Sequence, residues 1–228
     1  AAVSSPSGPR EVAVLARAFP TFNHFFYRAL RPGSRPVHAP RDPRVLVSAA
    51  DCRLAAFPSA GAATRVWVKG ATFSLASLLG GDQEYASLFE GGPLLVFRLA
   101  PQDYHRFHAP VDATLEGVTD LPGAYLTVNP VAVTEPSCDP LARNRRAVAR
   151  LHSPVFGAVA FVPVGATLVG SIRWSVAPGQ EVARGQELGM FAFGGSTVVV
   201  ALQAGAVVLD GDLVARSLAG IESLVRVG

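Results

Sequence analysis

Three short segments of the chain carry residue types that do chemistry. The densest is Asp103-Tyr104-His105-Arg106-Phe107-His108, set between the apolar run Leu94–Leu99 and Ala109-Pro110. Two of the five histidines stand three apart there. A histidine pair serves as base or proton carrier, as part of a metal site, or as nothing more than the polar side of a surface loop, and for an isolated pair the last reading is the default. A metal needs further His, Asp or Glu ligands converging on the pair. HxxH shares one face only on a helix, which Pro101 and Pro110 disfavour, so no metal is expected. In the second segment, Gly194-Gly195-Ser196-Thr197 joins two strongly apolar stretches within Phe191–Val200. It lacks the lysine and the following helix of a phosphate loop, and the Gly-x-Ser-x-Gly spacing of a hydrolase nucleophile. It reads either as a hairpin with a glycine bulge or as a self-cleavage site. In the latter, a glycine without a side chain lets the Ser196 hydroxyl approach the preceding carbonyl. The third segment is Val47-Ser48-Ala49-Ala50-Asp51-Cys52, an acid at the end of an apolar strand; taken alone, Asp51 is a turn former.

Composition narrows the chemistry. The 228 residues are half apolar and 16% charged, which provides for a core and excludes a disordered or fibrous chain. A net charge of +3 is far short of a nucleic-acid-coating protein. Lys69 is the only lysine, so chemistry through an amine–carbonyl adduct has one candidate amine or needs a carbonyl instead. Cys52 and Cys138 make neither a CxxC pair nor a zinc spacing and are expected as reduced thiols. Residues 1–10 are small and polar and read as the cut edge of a longer protein, without a signal peptide's apolar centre.

Elements must position these residues. Residues 11–30 show helix-spaced apolar positions interrupted at Pro20, with Thr21 capping a second helix that Arg31-Pro32-Gly33 ends. Short apolar runs at Val45–Ser48, Arg53–Phe57, Arg65–Val68, Leu94–Leu99 and Ala124–Val128 predict strands, with short helices at Ser74–Leu79 and Asp82–Phe89. The uncharged stretches Ser153–Ile172 and Leu188–Leu209 are long enough to span a membrane, but glycine, proline and β-branched residues make them strands. Pro178-Gly179-Gln180-Glu181 and Arg184-Gly185-Gln186-Glu187 repeat one turn, similar to the hairpin turns of lipoyl- and biotinyl-type barrel sandwiches. With no lysine at either tip, neither is a carrier site. The expected fold is α+β, mainly β, with N-terminal helices packed on a β-rich domain and a barrel-sandwich-like C-terminal part, over residues 11–228.

Taken together the segments resemble the phosphatidylserine decarboxylase family, from about Phe22 to Gly228. Thr21–Pro36 is similar to its opening segment, and Leu99–Asp112 to its histidine motif. Tyr125-Leu126-Thr127-Val128-Asn129-Pro130, Asn144-Arg145-Arg146, Val164-Gly165-Ala166 and Val169-Gly170-Ser171-Ile172 follow in the family's order. Phe193–Thr197 is similar to its cleavage motif. Asp51 followed by Cys52 resembles a eukaryotic, endomembrane-type branch, and the family usually runs a little beyond Gly228.

The resemblance implies a self-cleaving proenzyme. Asp51 supports His108, His108 deprotonates Ser196, and Ser196 attacks the Gly195 carbonyl. The chain divides into a β chain, 1–195, and an α chain, 196–228, headed by a pyruvoyl group derived from Ser196. Through a Schiff base with that group, phosphatidylserine becomes phosphatidylethanolamine and CO2. His105 serves decarboxylation, by placing the substrate carboxylate or reprotonating the α-carbon. A peripheral membrane surface is the implied workplace, in an endomembrane compartment if the source is eukaryotic. Phe22, Phe25 and Phe26 and the arginines Arg143, Arg145, Arg146 and Arg150 are candidate contacts, and a homodimer is a candidate assembly. Two other readings stand beside this one: the same chemistry on a small soluble amino acid, and a non-catalytic barrel-sandwich binding module.

Overall fold

The computed structural model describes residues 19–66, 73–133, 138–167, 171–193 and 196–228. The chain forms α1 (Phe22–Phe26), β1 (Cys52–Phe57), α2 (Ala60–Val66), α3 (Leu75–Leu78), α4 (Gln83–Ser87) and β2 (Leu94–Leu99). There follow β3 (Arg106–His108), β4 (Ala113–Leu121), α5 (Pro130–Val133), α6 (Pro140–Arg143), β5 (Arg146–Ser153) and β6 (Gly157–Val164). Then come β7 (Ile172–Trp174), β8 (Glu181–Val182), β9 (Glu187–Phe191), β10 (Ser196–Leu202), α7 (Gly211–Leu218) and β11 (Ser223–Val225).

Among the described residues, eight strands form one antiparallel sheet in the order β11-β1-β2-β10-β6-β5-β4-β8, and β3-β9-β7 form a second. The larger sheet is buried on both faces, which explains why its central strands are continuous apolar runs rather than alternating ones. Leu95, Phe97, Val198, Val200 and Phe161 point to the side shared with Phe107, Leu188 and Phe191 of the small sheet. Leu94, Val96, Val199 and Val162 point to the side covered by Ala62, Leu78 and Tyr85 of the helices and by Phe89 just beyond α4. Each fully buried phenylalanine here contributes roughly 2–3 kcal/mol of burial free energy. The result is an α+β, mainly β domain, as expected, and its layers are helices, the large sheet and the small sheet.

Capping side chains start the helices where the sequence places them. Thr21 accepts from the His24 amide at 3.3 Å, the Ser74 and Ser77 hydroxyls form a reciprocal capping box, and Asp82 accepts from the Tyr85 amide at 2.9 Å. The repeated turns are also alike: Gly179 and Gly185 have φ of +85° and +80°. Gln180 and Gln186 reach back with their side-chain oxygens to the amides of Ala177 and Ala183, at 3.3 and 3.0 Å.

Several expectations are corrected. α1 stops at Phe26, not at Arg31, because Arg28 and Arg106 take the Phe25 and Tyr27 carbonyls that a longer helix would use. Val45–Ser48 joins no sheet, its Val47 amide donating to the Pro110 carbonyl at 3.0 Å, and Arg65 and Val66 end a helix, not begin a strand. Ala124–Val128 makes only a single bridge, Ala124 to Asn144. The turn-rich segment closes no barrel: β8 extends the edge of the large sheet, while β7 and β9 belong to the small one. Arg146 is buried and donates to the Leu78, Ser77 and Asn144 carbonyls, so it is not free for an anionic surface, whereas Arg150 forms a partly exposed pair with Asp82. Arg143 and Arg145 are exposed. The helix-spaced positions 11–18, Lys69, Val169, Gly194 and Gly195 lie outside the described residues.

Candidate active site

A tight turn sets His105. The Asp103 carboxylate accepts from the Ala100 amide at 2.8 Å, and the Asp103 carbonyl meets His105 Nδ1 at 2.9 Å. A carbonyl only accepts, so Nδ1 carries the proton and Nε2 the lone pair. That Nε2 is buried without a partner. The ring lies against Phe26, centroids 3.8 Å apart. Burial, aided by the nearby Arg28 charge, pushes the imidazole pKa down to about 4. His105 is therefore a neutral, acceptor-ready ring at pH 7.

His108 sits at the end of β3. Its Nδ1 donates to the Gly185 carbonyl at 2.9 Å, so the second of the repeated turns fixes its tautomer. Its Nε2 faces the Tyr104 hydroxyl at 3.1 Å. Burial lowers its pKa too, while the Gly185 hydrogen bond and the negative charges of Glu187 and Asp51 oppose that shift.

Asp51 comes beside this strand because the His108 amide donates to the Ala49 carbonyl at 2.8 Å. Its carboxylate is taken by Arg35, whose Nε reaches both oxygens at 2.9 and 3.1 Å and whose Nη2 adds an ion pair. The Val227 amide donates to Oδ1 at 2.9 Å. The fork raises the Arg35 pKa. The structure thus brings Asp51 within electrostatic reach of His108, but does not join the two by a hydrogen bond.

Ser196 opens β10, paired with Leu99 of β2. It is fully buried and its hydroxyl has no hydrogen-bond partner. β9 and β10 lie in different sheets, so the glycine-containing link between them is not a hairpin. At its start Phe193 has φ of +71°, a left-handed conformation that costs a non-glycine residue roughly 1–2 kcal/mol. Its ring packs on Phe22 and Phe26, centroids 5.5 and 5.4 Å away. Phe26 thereby touches both His105 and the residue that leads into the link. A cavity of about 410 Å³ opens here, lined by Phe22, Phe26, Leu99, Val128 and Phe193, with Arg98 at its wall. Arg98 is neutralised by Glu222, 2.7 Å away. An orphaned, buried hydroxyl on the residue paired with cavity-lining Leu99 fits the position from which a pyruvoyl group would be made.

Sequence reasoning gave no role to Arg35, Tyr104, Gly185 or Phe193. Tyr104 was legible as a residue four before His108, and Arg35 and Gly185 lie in segments already noted. Nothing in the residue types signals the left-handed backbone at Phe193.

Comparison with known proteins adds an independent result. The family model of phosphatidylserine decarboxylase matches residues 22–219. The chain is 46% identical over 218 residues to phosphatidylserine decarboxylase proenzyme 2 of rice, covering 96% of this chain and 35% of the rice protein. It is 44% identical to phosphatidylserine decarboxylase proenzyme 3 of Schizosaccharomyces pombe, over 96% of this chain and 22% of that protein. It is 39% identical to the phosphatidylserine decarboxylase proenzyme of Clostridium novyi, over 96% of this chain and 73% of that protein. The chain thus spans about a third or less of these plant and yeast relatives and most of the bacterial one. With the match running from α1 through α7, this chain belongs to the phosphatidylserine decarboxylase family.

Proposed function

We propose that the chain is a self-cleaving proenzyme that converts phosphatidylserine to phosphatidylethanolamine and CO2. The observation that carries this reading is the buried, unpartnered Ser196 hydroxyl at the end of a link entered through the strained Phe193.

In the proposed maturation, His108 Nε2 leaves Tyr104 and takes the Ser196 hydroxyl proton, with Asp51 stabilising the imidazolium by charge. Ser196 Oγ bonds to the Gly195 carbonyl carbon and the Gly195–Ser196 peptide bond breaks, leaving an ester and a free Ser196 amine. Removal of the Ser196 α-proton expels the Gly195 carboxylate and leaves dehydroalanine. Water then replaces the nitrogen, releasing ammonia and leaving a pyruvoyl head on residues 196–228.

When present, that group supplies an electrophilic carbonyl that captures the substrate amine and draws off the electrons left by CO2. His105 Nε2, neutral and dry, is the candidate for holding or moving a proton at the substrate. The apolar cavity and the exposed Phe22 favour a lipid over a small soluble amino acid. Peripheral docking through the exposed Phe22, Arg143 and Arg145 is the proposed route to the lipid. No helix among the described residues is long and apolar enough to cross a membrane.

Mass spectrometry of the purified chain, with CO2 release measured from phosphatidylserine vesicles and from free serine, tests the proposal. Two chains divided before a blocked residue 196, active on vesicles, are expected. Ser196→Ala should remain one inactive chain. An uncut wild-type chain that releases no CO2 from vesicles would overturn the reading, and release from serine alone would transfer it to a soluble substrate.

A further inference from the structure

The segment 33–38 is not used by the mechanism above, yet it contacts Asp51 directly and reaches the Gly185 turn that holds His108. Arg35 forks onto the Asp51 carboxylate, and its Nη1 is tied to the Ser34 carbonyl at 2.9 Å. Two residues on, Val37 packs on the turn whose carbonyl orients His108: a Cβ on Gly185 would fall 2.5 Å from Val37 Cγ2. Next, the His38 amide donates to the Gly228 carbonyl at 2.8 Å, beside the Val227 amide that holds Asp51. The Arg35 and Asp51 side chains are only 17% and 15% exposed, so this is not a solvent-screened surface pair.

We infer that Arg35 is a positioning residue for Asp51, and that residues 35–38 form a strap setting the acid and the His108-holding turn in one register. The inference rests on the self-cleavage reading. Its reasoning is geometric. Asp51 makes no hydrogen bond to His108, so nothing on the histidine side fixes the carboxylate. Its place is set by the planar guanidinium fork and the Val227 amide. A lysine supplies the charge but not the two-point geometry.

Self-cleavage rates of the full chain, followed by gel from minutes to days, test this for wild type, Arg35→Gln, Arg35→Lys, Asp51→Asn and the two double variants that combine Asp51→Asn with each Arg35 substitution. Arg35→Gln should slow cleavage about tenfold or more, the scale of a lost charged hydrogen bond. Arg35→Lys should recover part of the rate. With Asp51→Asn already present, Arg35→Gln should change the rate less than about twofold, because its effect runs through the carboxylate. Wild-type cleavage by the Gln variant, or equal slowing with and without Asp51, would overturn the inference. If the Gln variant does not fold, Arg35→Lys carries the same comparison: it should slow cleavage when Asp51 is intact and leave the rate unchanged when Asp51→Asn is already present. An uncut wild-type chain would instead defeat the self-cleavage reading on which the inference stands.

Discussion

Acid should destabilise this protein through His105, by an amount the structure sets. The ring is fully buried, and its pKa is about 4 when folded against about 6.5 when the chain is unfolded. Between those values the unfolded chain binds a proton that the folded chain refuses. Stability from keeping the ring neutral is therefore intact above pH 6.5 and is lost as pH falls from 6.5 towards 4. At about 1.4 kcal/mol per pH unit, the loss between pH 7.5 and 4.5 is roughly 2–3 kcal/mol. The assay is urea unfolding of the Ser196→Ala chain, with and without His105→Gln, at both pH values. The Ser196 background keeps one intact chain and removes a hydroxyl without a hydrogen-bond partner. Carboxylates that also titrate, such as Asp103, whose pKa burial raises, are present in both proteins and largely cancel. The stability difference between the two proteins should shrink by roughly 2–3 kcal/mol on going to pH 4.5. A difference that moves by less than about 1 kcal/mol, or a His105 ring that titrates near 6.5 by NMR, would refute the reasoning.

Other expectations follow from single contacts. Tyr104→Phe releases His108 Nε2 while leaving the Gly185 hydrogen bond, so cleavage should proceed at least as fast as in wild type, whereas His108→Ala should block it; gel time courses decide, and slower cleavage by the phenylalanine variant would give the hydroxyl an active part. His105→Ala should still mature but release little CO2. Replacing exposed Arg143 and Arg145 with Gln should weaken co-sedimentation with anionic vesicles and leave cleavage unchanged. Arg146→Gln, by contrast, strips donors from three carbonyls and should cost roughly 2–4 kcal/mol in urea unfolding.

What the sequence discloses follows from how local the cause is. β2 has the bounds of its apolar run, Leu94–Leu99, because a strand covered on both faces is written as such a run. The Thr21 cap and the helix starts at Ser74 and Asp82 are local and equally legible. Ala124–Val128 has strand-like residues, yet a side chain takes its bonds: the Asn144 amide pairs with both backbone groups of Leu126, each at 2.8 Å. Arg65 and Val66 follow small residues that Ser59 caps into a helix, since the Ala62 amide donates to its hydroxyl at 3.2 Å. At the site, the residue types and order of Asp51, His105, His108 and Ser196 were legible. Their partners were not, because Arg35, Gly185 and Val227 reach the site from distant parts of the chain.

β10 lies between β2 and β6, every residue of it buried. Under the proposed maturation the chain is severed at the very start of that strand. Before the cut, a denatured molecule carries all its strands on one chain and refolds at any dilution. After it, residues 196–228 must find their slot between two strands of a separate polypeptide, a bimolecular search whose yield falls with dilution. The folded enzyme would keep its pieces together through two backbone ladders, but its survival would become a matter of how slowly it opens rather than how readily it re-forms.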